Sequence, residues 1–173
     1  MGLLKKLAEK AAAGAPDYRA EIAARLPAGE SVVGWGHGQH LAPETDLNMR
    51  RRGVIGAGIN LASEMRSKQQ HLTGAADSCA YAVPRDVQSM ITLAITEQRV
   101  TLWTFGTSMR EVPPRELVAF PRSSVSSITA TGDAGKLGRH ARLLFIDESS
   151  VDLEMMDDPA NPSFWSAAAA LSG

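Results

Sequence analysis

The sequence predicts an α+β fold: an antiparallel β-barrel, or a strongly bent pair of sheets, closed by a C-terminal helix. Three observations predict it. Between Ser89 and Met155 apolar and polar residues alternate with period two in short runs separated by turn residues, the pattern of hairpin-linked strands. After Asn161-Pro162 the period becomes that of a helix. The length of 173 residues suits one domain, and 44% hydrophobic with 21% charged residues supplies one core.

Taking the elements in order, Leu3, Leu4, Leu7, Ala8, Ala11 and Ala12 make one apolar stripe ending at Gly14, a short amphipathic helix. Pro16 then opens a second short helix carrying Tyr18, Ile22, Ala23 and Leu26, which Pro27-Ala28-Gly29 stops. These two helices form an N-terminal extension over residues 1–28, and the domain proper spans 29–173. From Glu30 the period changes to two: Val33, Trp35 and His37 alternate with Val32 and three glycines, giving a strand with one bare face. Glycines inside a strand imply close approach by another element.

An insertion at about 41–83 follows, in which Ile55, Ile59, Ala62 and Met65 fit the face of an inserted helix. Met90 to Thr96 and Arg99 to Phe105 then form a half-buried hairpin about Glu97-Gln98. Glu116 to Phe120 and Val125 to Thr131 are two further strands, and Gly132 to Gly138 is a loop. A last hairpin joins Arg142–Ile146 to Val151–Met155 through Asp147 to Ser150. Asn161 and Pro162 start the final helix, whose face is Phe164, Trp165, Ala168 and Leu171.

Composition bounds function as well. The net charge of −1 gives no whole-chain attraction to a polyanion, which disfavours nucleic acid as a partner. A single cysteine, Cys79, allows no internal disulfide or cysteine-rich zinc cage and fits a reducing, cytoplasmic compartment. The apolar stretch from Gly53 to Ala62 is well short of the ~20 residues of a spanning helix. Lys6 stands where a myristoylation signal needs Ser or Thr, and Lys5, Lys6, Glu9 and Lys10 interrupt any secretory apolar run, so neither is expected.

One strand, a long insertion, about six antiparallel strands and a closing helix is a layout that resembles bacterial pleckstrin-homology-like (PH/GRAM-like) domains. The residues that carry the likeness are Leu93 to Val100 with its Thr96-x-x-Arg99 hairpin, Leu143 to Asp147 leading into Val151-Asp152-Leu153, and the Phe164-Trp165 helix. The resemblance implies a PH-like barrel whose open end is plugged by that helix. It also implies a binding role toward lipid headgroups, peptides or proteins, and fold alone does not choose among these. In the lipid-binding members basic residues lie on the first strands; here that strand carries His37, Gln39 and His40.

Sites of catalysis fare poorly. His37 and His40 are three apart on a strand, which sends them to opposite faces and denies them a shared metal. Gly56-Ala57-Gly58 lacks the third glycine and the preceding strand of a dinucleotide fingerprint. Gly132 to Leu137 lacks the hydroxyl and the helix of a phosphate loop. Cys79 has no histidine in a motif. The acids Asp147, Glu148, Asp152, Glu154, Asp157 and Asp158 read as a solvated hairpin edge. No catalytic, cofactor or metal site is therefore expected.

Two partner features remain. Arg50, Arg51 and Arg52 with Arg66 and Lys68 form a basic cluster able to attract an anionic surface. The Leu3, Leu4, Leu7 stripe suits docking on protein, and less well a bilayer interface. The expected function is a non-catalytic binding or scaffolding module for a protein, a second copy included. The competing expectation is a peripheral domain on anionic membrane.

Overall fold

The computed structural model describes residues 15–41, 71–84, 90–134, 138–156 and 163–171. In chain order they form helix α1 (Tyr18–Ala23), strand β1 (Val32–His40), the short strand β2 (Leu72–Thr73) and a 3-10 turn (Cys79–Ala82). Strands β3 (Ile91–Thr96), β4 (Arg99–Thr104) and β5 (Arg115–Pro121) follow, then a second 3-10 turn (Arg122–Ser124). Strands β6 (Val125–Ala134), β7 (Gly138–Phe145) and β8 (Ser150–Met156) precede helix α2 (Ser163–Ala169).

All strands belong to one antiparallel sheet in the order β5-β4-β3-β1-β8-β7-β6, with β2 paired to β8 beside that path. The long strand β1 joins its two halves. It pairs with β3 from Val32 to Gly38 and with β8 from Gly38 to His40. The sheet curls on itself: the rings of Phe120 on β5 and Phe145 on β7 lie 4.7 Å apart although four strands separate theirs along the path. Closure is not reached among the described residues, because β5 and β6 end the path without pairing to each other. Of the two expected forms, a barrel or a strongly bent pair of sheets, the described residues do not show the closed one.

Boundaries also shift. Strand β2 and the turn at Cys79 arise inside the span predicted as a helical insertion, while the helix expected on residues 55–65 and the one on residues 3–12 lie outside the described residues. Strand β7 begins at Gly138, four residues before the alternation is clear, because Arg139 and His140 pair with Met155 and Glu154 whatever their polarity.

Two apolar clusters flank β3 and β4. The inner one gathers Ile91, Leu93 and Ile95 with Val100, Leu102, Phe120, Ile128, Leu143, Phe145, Leu153, Met155 and Phe164. Helix α2 covers it, lying on the bare face of β1 as the glycines imply. A Cβ on Gly34 would run into Ala167 and the carbonyl of Ser163, and one on Gly36 would stand 3.0 Å from the Phe164 ring. Phe164 is buried and Trp165 half-buried, with the Arg139 guanidinium 5.6 Å from the Trp165 ring centre. Arg122 donates to the carbonyl of Ala170 at 2.8 Å, placing a cation at the helix C-terminus where the backbone dipole favours it.

The outer cluster was not anticipated. Ala94, Trp103 and Phe105 face away from the shell, yet Ile22 and Val32 with half-buried Tyr18, Leu26, Trp35 and Met109 cover them. The hairpin read as half-buried is thus buried on both faces; Thr92, Thr96 and Thr101 are no more than 1% exposed. Helix α1 is capped by Asp17, which accepts from the amide of Ala20 at 3.0 Å. Its six residues are too few to hold a helix alone, so packing of Ile22 keeps it formed.

Candidate functional site

The Thr96-x-x-Arg99 hairpin is a structural clamp. Thr96 Oγ1 accepts from the amides of Gln98 and Arg99, which fixes the turn, and donates to Glu30 Oε1 at 2.6 Å. Arg99 Nε reaches both oxygens of the buried Glu30 carboxylate at 2.9 and 3.1 Å. Glu30 lies two residues before the start of β1, so the clamp ties the chain between α1 and β1 to the β3–β4 turn.

A second knot holds the turn at Cys79. The Asp147 carboxylate accepts from the Ser149 hydroxyl, the Ser149 amide and the Cys79 amide, and Ser149 Oγ accepts in turn from Ala80. Chiefly the Ser149 hydroxyl, then the Cys79 amide, bring the Asp147 pKa down to about 2. Burial, followed by the hydrogen bond and charge of Asp147, pushes the Cys79 thiol up, away from the reactive thiolate. Both groups are better suited to holding structure than to attacking a substrate.

Those bonds, with others on β8, correct the reading of the acidic run. Strand β8 lies between β1 and β7 and is no edge. Glu154 is only 5% exposed and accepts from Gln39 Nε2 at 2.7 Å. Asp152 takes a two-pronged bond from Arg142 at 2.8 and 2.9 Å, which raises the arginine's pKa. Asp157 and Asp158 lie outside the described residues, as do Arg50, Arg51, Arg52, Arg66 and Lys68. His37 and His40 do occupy opposite faces of β1.

Among the described residues, a surface rich in recognition chemistry is the outer face of β1, with Trp35, His37 and Gln39, and Val33 at the bulge that follows Val32. Val33 is 43% exposed and the other three are half-buried. His37 Nδ1 pairs with Thr92 Oγ1 at 3.0 Å, while Tyr18 sets its ring edge-on to His37 at 4.3 Å and lies 5.8 Å from Trp35. Burial raises the Tyr18 pKa, opposed by the positive charge of Arg110. Apolar contact, aromatic faces and hydrogen-bonding groups thus share one ridge, the make-up of protein-recognition surfaces. The sequence signal was present in the Val33, Trp35, His37 alternation, but it gave no sign that Tyr18 joins the ridge.

Among the described residues no three His, Cys, Asp or Glu side chains stand together as a metal site would require, and no helix is long and apolar enough to cross a membrane. Searches of family models, curated proteins and solved structures give no match to this chain.

Proposed function

We propose that this chain is a non-catalytic binding or scaffolding module of the PH-like kind, whose partner is a protein, a second copy of itself included. The observation that carries the reading is the filled interior. Side chains from the two halves of the sheet and from α2 occupy the space inside the shell, which leaves recognition to the outside, as in small β shells whose interior only just accommodates side chains. A long first strand shared by two three-stranded meanders, with the last helix on its inner face, supports the PH-like part of the proposal. The outer face of β1 supports a protein partner.

Light scattering across a concentration series, with capture of partners from the native cytoplasm, tests it. The expected result is a stoichiometric complex, of two copies or with another protein, that Val33→Arg abolishes without changing Tm. A monomer that captures no protein but sediments with anionic vesicles at low salt overturns it in favour of the membrane reading.

A further inference from the structure

We infer that α1 is a hinged strap that opens on its own, ahead of the rest of the fold, and uncovers part of the outer cluster on β3 and β4. This stands apart from the binding role proposed above and needs no partner. Three features lead to it.

The first is how lightly α1 is held. Ile22 is its fully buried side chain. Among the described residues its polar ties to the body are two long hydrogen bonds, Tyr18 Oη to the carbonyl of Met109 and Arg19 Nη2 to that of Val32, each 3.2 Å, beside the ring contacts of Tyr18 with Trp35, His37 and Phe105. The second is what lies beneath. The buried polar groups there take partners outside α1: Thr92 pairs with His37, Thr96 bonds Glu30, Thr101 donates to the carbonyl of Ala94, and Trp103 Nε1 donates to Thr101 Oγ1 at 2.7 Å. Departure of the helix leaves those bonds intact, so opening does not strand a buried donor or acceptor, the most costly kind of exposure. The third is the connection. Ala24, Arg25, Pro27, Ala28 and Gly29 are exposed, Gly29 turns at φ +86°, and the next residue is the clamped Glu30. Motion beginning at α1 therefore ends at a fixed point and does not pass into β1.

Two buried alanines allow a matched test. Ala94 lies in the outer cluster with Ile22 of α1 and with Val32 and Trp35 of β1, and Ala141 lies in the inner cluster, at 0% and 2% exposure. In a Cys79→Ser background, Ala94→Cys and Ala141→Cys are each exposed to a thiol reagent in native buffer and in urea below the unfolding transition. The thiol at position 94 is expected to react at least about tenfold faster than that at 141, with little response to urea, as local opening requires. Adding Phe164→Leu should then speed labelling at 141 and leave 94 unchanged, because an inner-cluster change acts only through global unfolding. Equal rates with the same urea dependence, or an equal response of both sites to Phe164→Leu, would overturn the strap.

Discussion

The two apolar clusters on either side of β3 and β4 are built on opposite rules. Inside the shell, aliphatic and aromatic side chains from strands across the sheet meet α2, and glycines let that helix approach the backbone of β1 directly. Outside, threonines that bond within the sheet are roofed by aromatic rings and by a helix of six residues. The inner cluster excludes water by close packing, the outer one by a cover. Equal burial in the two regions thus conceals an unequal resistance to opening.

The largest expected effect tests the inner rule. Phe164→Ala should lower the free energy of unfolding by about 3–5 kcal/mol, read from urea denaturation, since a rigid surround cannot collapse onto the space left. Its outer counterpart, Ile22→Ala, should cost about 2–3 kcal/mol, because a surface helix can settle into part of the gap. If Ile22→Ala costs as much as Phe164→Ala, the two regions do not differ as argued. Gly34→Ala should follow at about 1–3 kcal/mol from overpacking against Ala167 and Ser163, whereas Val33→Ala, one residue away and exposed, should change stability by less than about 0.5 kcal/mol.

The smallest effect is confined to acid. Asp147 has its pKa lowered from 3.8 to about 2 in the folded protein, so it contributes stability above pH 3.8 that is lost as pH falls through about 2. Asp147→Asn should remove that part of the acid response, seen as a flatter plot of Tm against pH across this window. An unchanged slope would mean that the knot around Cys79 does not hold in solution.

Much of the inner region was legible because alternation and helical period both report a single buried face. Ile91, Leu93 and Ile95, the glycines of β1 and the Phe164 face all point inward as their spacing requires. The outer region was not, since threonines at alternate positions look alike whether water or a helix covers them. Ala94, Trp103 and Phe105 became core with Tyr18 and Ile22, roughly 70 or more positions away in sequence, and local pattern carries no such distance. Glu154 deceived for the same reason: its polarity suggested solvent, and only the pairing of β8 between two neighbours brings Gln39 against it. For the candidate ridge, three of its side chains could be read from β1, but their aromatic companion could not.

Strand β1 depends on residues synthesised far apart. Its far end meets β8, and Gln39 bonds Glu154, 115 positions later in the chain. During translation β3 emerges in time to pair with β1, but β8 is made long afterwards, and contacts of such long range are slow to form. A ribosome-bound chain therefore exposes the Gly38–His40 edge until β8 has been made, which gives a chaperone reason to bind there.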